Sequence, residues 1–515
     1  MIAAYRTVVT WLDQFPDTPG YFNRHFGARW RQFAVLILLG LLLRCSTFGD
    51  TNLHVDETFY FLVGQEMHHG AIPYVDIWDR KPVGLFLIYW AIAGISTSVV
   101  AYQVAAWLFA SSTAMVINLI ARRWAGTQGG LLAGASYLFM LGPQEGYGGQ
   151  SPVFYNLLIA SAALLVLGAR PQLMRGHAGW RVFLAMTLAG LALTVKQTTL
   201  FEAVFFGLVV AWYLLRSGAP ALRSVAIILA CAVLGALPTV LTAATYWWIG
   251  YWPEFWQAMV TANFKKAGAP LLEVAARLLR FVLRLYPFLA LAGLGMWVTD
   301  RQTIDTKDRW FVGLWVLSAI LGLFAVPNFY GHYALPLFVP LAVASSVVLA
   351  RRDVGLFLAG MLAAFTLVLY NPFDLSERRL SVRSMEQMAK TIRLHDSGGG
   401  LFISDGPVYL YALSNKKPLT PLLFPPHLNE WFEKDVSQFN TGQEVRRVLK
   451  GNPGVVAVAA YPRTHFSNGD TRKAVLAYVG GHCRLVAIAT SYEVGGRFPI
   501  AIWGDCRQSP AGSGP

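Results

Sequence analysis

The chain has 515 residues, 55% of them hydrophobic and only 14% charged, and its mean hydropathy is +0.46. That composition marks a polytopic membrane protein. The net charge of +14 is explained by basic loops kept on the cytoplasmic side and by anionic lipid headgroups, which sets nucleic acid aside as a partner.

A spanning helix needs about 20 mostly apolar residues, and eleven such stretches are read between residues 33 and 371. The first runs from Phe33 to about Phe48 and is taken as a retained anchor. Leu42-Leu43-Arg44-Cys45 is no lipoprotein cleavage box, because Arg44 stands where a small residue is needed. The next runs from about Ala101 to Ile120, and further spans cover about 128–142, 153–169, 182–195, 199–215, 223–245, 277–298, 310–326, 334–350 and 354–371. Val83 to Ile95 is too short for a crossing and reads as an interfacial or re-entrant helix.

Orientation follows from the arginines, since short basic loops stay cytoplasmic. Arg122 and Arg123, Arg170 with Arg175 and Arg181, Arg216 with Arg223, Arg301 with Lys307 and Arg309, and Arg351 with Arg352 fall in alternate loops. The basic N-terminal arm, 1–32 with Arg6, Arg24, Arg29 and Arg31, lies on the same side. The external loop 49–100 and everything after about residue 372 then face the periplasm or exterior of a cytoplasmic, inner membrane.

After Asn371-Pro372 the apolar runs shorten and charge rises, which predicts a soluble C-terminal α/β domain over 376–515. Ser384 to Leu394 has helical spacing, and Gly400 to Ile403 and Gly454 to Ala460 read as strands. Cys45 and Cys231 fall in spans, while Cys483 and Cys506 share the soluble region. The latter two read either as a disulfide suited to an oxidising exterior or as two separate thiols.

Two clusters in the external loop carry most of the chemistry: His54-Val55-Asp56-Glu57 and Asp76-Ile77-Trp78-Asp79-Arg80-Lys81-Pro82. Asp56 and Glu57 would diverge by about 100° on a helix and can serve different tasks. One carboxylate would take a proton from an attacking hydroxyl; the competing reading makes Asp56 a helix N-cap. Arg80 and Lys81 suit a phosphate leaving group, or equally snorkel to headgroups.

Lys196 lies at an outward turn against the positive-inside bias, where an ionisable residue is a functional candidate, although a lysine reaching water at a helix end explains it too. Asn328 to Tyr333, with His332 and Tyr333, precedes a late span on the same face and could supply hydrogen bonds or anchor the interface. Gln144-Glu145-Gly146-Tyr147 reads as a polar turn or a glycan contact, and Tyr246 to Trp256 as an aromatic belt. His54, His68 and His69 have no diagnostic ligand spacing, so no metal site is predicted, and a divalent metal stays open as a cofactor. Polar groups around 56, 80, 196 and 332 all map to the outward face.

Asp56-Glu57 with Tyr60, Tyr74-Val75-Asp76, Lys81-Pro82, and His332-Tyr333 with Leu335-Pro336-Leu337 and Pro340 together resemble the motifs of the GT-C superfamily of polyprenyl-phosphate-sugar glycosyltransferases. The resemblance covers about residues 30 to 350 and is strongest to bacterial relatives of the protein O-mannosyltransferases (glycosyltransferase family 39) and of the lipid A aminoarabinose transferase. It implies a GT-C fold of about 11 transmembrane helices over 33–371. It implies an inverting transfer of a sugar from a polyprenyl-phosphate-linked donor to an envelope glycan such as lipopolysaccharide, a glycolipid or a protein.

By that resemblance Asp56 is the catalytic base supported by Glu57, and Lys81, with Lys196, binds the donor phosphate; Arg80, from its own charge beside Lys81, is read as a further phosphate-binding cation. Tyr60, Asp76, Asp79, His332 and Tyr333 contact substrate. In the aminoarabinose transferase an acidic, metal-binding residue precedes the lysine; here Arg80 stands there, which points to a cationic phosphate clamp. A transporter or flippase of lipid-linked sugars is the alternative, but it expects polar groups on both faces and paired half-helices.

Overall fold

The computed structural model describes residues 19–298, 305–493 and 496–507. Arg6 and Arg301, used above to orient the chain, lie outside them. The chain divides into two compact units, one of Met1–Ser46, Val104–Thr242 and Pro270–Phe373, the other of Thr47–Gln103, Ala243–Ala269 and Asp374–Pro515. The sequence-drawn division therefore differs from this one: the loop 49–100 shares a unit with the C-terminal region, not with the helical module.

The first unit is helical. Every predicted apolar stretch falls on a helix, but length and composition qualify only seven helices among the described residues as able to cross a membrane, so the count of eleven is not reached. Three stretches fall short for visible reasons. Arg29–Leu42 has 14 residues and Trp180–Val195 has 16, while Thr306–Phe324 opens with Lys307, Asp308 and Arg309. Two others lie on one element, Val99–Leu141, which breaks at Gly126, where φ is 60°. Glycine takes that backbone without the Cβ clash that other residues meet.

In the second unit the helix Val55–His68 packs on Val83–Ile95. Contact is close because Gly64 has no side chain: a Cβ there would stand 2.6 Å from the Tyr89 carbonyl carbon. The C-terminal region is α/β, as its composition indicated. Its sheet has the order β1-β2-β4-β3, with β1 Leu401–Ile403, β2 Val455–Ala459, β3 Arg484–Glu493 and β4 Gly496–Gly504. The β1–β2 pair is parallel and the others are antiparallel. Arg484 pairs with Gly504 at the open end of the β3–β4 hairpin. That register brings Cys483 and Cys506 together, and their sulfurs are bonded at 2.09 Å.

Candidate functional site

Asp56 and Glu57 occupy the first turn of Val55–His68. The N-cap is His54, whose Nδ1 accepts from the Asp56 backbone N at 3.1 Å, so the capping role offered to Asp56 belongs to its neighbour. The two carboxylates diverge as helical geometry requires: Asp56 is partly exposed, and Glu57 is fully buried. Tyr60 lies one turn beyond Asp56 on the same helix face. Lys81 Nζ sits 5.4 Å from the centre of its ring, a cation–π contact. Asp56, Tyr60 and Lys81 thus form one sequence of neighbours within the second unit.

The other loop residues have structural partners. Asp76 is exposed, and its Oδ2 accepts from the Ile72 backbone N at 2.7 Å. Asp79 is buried and its Oδ1 accepts from the backbone N of Arg80 and, at 3.0 Å, of Lys81. The Asp79 carboxylate thus holds the Arg80-Lys81 backbone in its turn, while the Asp76 carboxylate closes the preceding turn at Ile72. Arg80 donates from Nη2 to Glu433 Oε1 at 2.7 Å, and Lys266 Nζ meets the same oxygen at 2.8 Å. A cation engaged in this way is no metal ligand, so the position ahead of Lys81 does not fit a metal, and no step is assigned to one.

The loop is further braced from the C-terminal region. Trp78 donates its backbone N to Pro421 O and its indole N to Gln257, each at 2.9 Å. Gln438 donates to Tyr74 O at 2.8 Å, and the Tyr74 hydroxyl donates to Lys81 O at 2.8 Å. Of the predicted aromatic belt, Trp247 and Trp248 are exposed, but Tyr246 is buried and donates to Pro73 O at 3.3 Å.

In the first unit, Lys196, His332 and Tyr333 line one cavity of about 460 Å³, solvent at its mouth included. Lys196 Nζ lies 5.0 Å from the Tyr333 ring centre. His332 Nδ1 is 3.1 Å from Glu145 Oε2, so the polar turn Gln144 to Tyr147 acts on the histidine. That turn is tied down by Arg44, whose guanidinium donates to the carbonyls of Gly146, Tyr147 and Gly148. Glu202, in the first turn of Leu200–Leu215, also lines the cavity and was missed by the sequence reading. A lone acid inside an apolar span was the available signal.

No protein-family model matches the sequence, and neither does any curated protein. Solved structures do match. The crystal structure of ArnT from Cupriavidus metallidurans bound to undecaprenyl phosphate aligns with a TM-score of 0.58 at 12% identity, over 94% of this chain and 98% of that one. Its apo state gives 0.57 at 13% identity, over 92% and 96%. An oligosaccharyltransferase from Archaeoglobus fulgidus tethered with an acceptor peptide gives 0.47 at 11% identity, over 85% and 70%. The fold is that of the ArnT structures: a multi-pass helical membrane protein with a small mixed sheet near its C-terminus.

Proposed function

We propose that the protein is an inverting membrane glycosyltransferase that moves a sugar from a polyprenyl-phosphate donor to an envelope glycan, glycolipid or protein on the outer face of the cytoplasmic membrane. The carrying observation is the Lys81 ammonium over the Tyr60 ring, one helical turn from the Asp56 carboxylate. Asp56 takes the proton of the acceptor hydroxyl as its oxygen bonds to the anomeric carbon. The bond to the lipid phosphate breaks, and Lys81 stabilises the charge that develops on the leaving oxygen. Arg80 is already matched by Glu433 and holds the motif in place, while Glu57, buried at the next helix position, keeps its proposed supporting part. Lys196 keeps its proposed part as a phosphate-binding cation, and His332 and Tyr333 theirs as substrate contacts. The ArnT fold, known with undecaprenyl phosphate bound, supports the choice of lipid.

Because His54 and not Asp56 caps the helix, Asp56→Asn tests the chemistry apart from the cap. Cells lacking the gene should lose a sugar mass from envelope glycolipids and glycans, recovered by wild type and not by an equally expressed Asp56→Asn protein. Full recovery by Asp56→Asn would refute the catalytic assignment and favour transport of lipid-linked sugars.

A further inference from the structure

Glu202 lies within a candidate membrane span and is 2% exposed. Trp315, from the neighbouring helix Thr306–Phe324, donates its indole N–H to Glu202 Oε1 at 2.8 Å. That is the one hydrogen bond the carboxyl makes among the described residues, so Oε2 is uncommitted while the side chain lines the cavity shared with Lys196, Thr198 and Tyr155. Burying an acid among apolar helices is expensive, and such residues mark ligand paths. One indole N–H does not require a carboxylate, since any carbonyl would satisfy it. A carboxylate oxygen facing a cavity accepts hydrogen bonds and offers none, which suits a ligand edge that donates. Lys196, on the same cavity, suits an anion.

We infer that Glu202 is a specificity-determining residue that accepts a hydrogen bond from a sugar hydroxyl of a lipid-linked glycosyl phosphate, in the cavity that it lines together with Lys196. The ligand class is a hydroxylated glycosyl phosphate on a lipid, and the inference rests on the donor reading above. A sugar lacking that hydroxyl leaves Oε2 desolvated without a partner, and such sites reject the deoxy analogue strongly. Bare lipid phosphate makes no use of Glu202.

The test is equilibrium binding to the full chain in lipid nanodiscs, which needs no acceptor. The probes are undecaprenyl phosphate alone and undecaprenyl phosphate carrying glucose, galactose, mannose or arabinose. Wild type should bind at least one glycosylated lipid about tenfold or more tighter than the bare lipid. In Glu202→Gln the amide oxygen can keep Trp315 while its NH2 replaces the acceptor toward the cavity. That variant should lose about 10- to 100-fold on the preferred lipid, the range for a hydrogen bond to a charged group, and stay within about threefold on the bare lipid. Glu202→Leu with Trp315→Phe removes both buried partners, which avoids an orphaned N–H, and should lose the same preference.

Retention of the sugar preference by both variants would overturn the inference. So would a wild type that binds bare lipid and no sugar form more tightly, with the phosphate reading left standing. A wild type that binds no probe would overturn the donor reading and the inference together.

Discussion

Arg80 and Glu433, 353 positions apart, are joined by a 2.7 Å hydrogen bond between Nη2 and Oε1. Lys266 shares that oxygen, so one carboxylate fastens the external loop, the segment around 266 and the C-terminal region of the second unit. Burial alone would raise the Glu433 carboxyl, but the Arg80 and Lys266 charges pull it down to about 2. Glu433→Ala leaves two partly buried cations without their carboxylate, and breaking a pair of this kind costs up to about 3 kcal/mol. Because the folded value is depressed, the contribution is present above the ordinary carboxylate range and is lost as pH falls toward 2. Chemical denaturation in detergent at neutral pH measures it, and a loss below about 1 kcal/mol would mean that the cluster is hydrated.

Asp405 behaves in the opposite sense. Burial pushes its carboxyl up to about 6 in spite of Arg463, whose Nη1 is 3.5 Å away. Burial, with Glu433 nearby, likewise raises Glu430 to about 7. A carboxyl raised on folding contributes stability that is present below its unfolded value and lost as pH rises through the folded one. The C-terminal region should therefore weaken by on the order of 2 kcal/mol between pH 4 and pH 8 through each of these groups. Asp405→Asn and Glu430→Gln should each flatten the profile. An unfolding midpoint measured across that window in the variants, parallel to wild type, would exclude the proposed titration.

The Cys483–Cys506 bond closes a loop with a sequence separation of 23, which in a chain-entropy account is worth about 3 kcal/mol. Cys483→Ser with Cys506→Ser should lower stability by about that amount. Thiol labelling of the denatured wild type should find two reactive cysteines before reduction, Cys45 and Cys231, and four after it. Four before reduction would show that the bond does not form.

Long apolar periodicity made the helical unit legible, because lipid and helix packing both select the same residues. The C-terminal hairpin was not legible. Arg484 to Glu493 is mostly half-exposed and carries no clean alternation, so its strand character comes from pairing with Gly496 to Gly504. The helix Thr441–Lys450 was readable in principle from its Asn440 cap and its Val445, Val448 and Leu449 stripe. Asp56 and Lys81 were visible as chemistry-bearing types in a loop, whereas Glu433 and Lys266 were not. Their meaning depends on contacts between segments hundreds of residues apart, which no local pattern encodes.

Gly64 is the residue on which the spacing of the Asp56 and Lys81 helices depends. An alanine Cβ there would stand 2.6 and 2.7 Å from the carbonyl carbon and oxygen of Tyr89 and 2.8 Å from Trp90 N. These are backbone atoms of Val83–Ile95, so no side chain can rotate away, and the helices must separate. Overpacking of that kind costs about 1–3 kcal/mol. The shift also carries Tyr60 away from Lys81, whose helix begins two residues later at Val83. Gly64→Ala should therefore reduce sugar transfer by at least about tenfold, since small displacements of positioned groups are costly. Gly207→Ala is the control: a Cβ there meets nothing within 4 Å, and helix propensity favours alanine, so stability should hold or rise by up to about 1 kcal/mol. Equal transfer by the two variants, with equal melting temperatures, would show that the Val55–His68 and Val83–Ile95 helices tolerate separation and that the site does not depend on their contact.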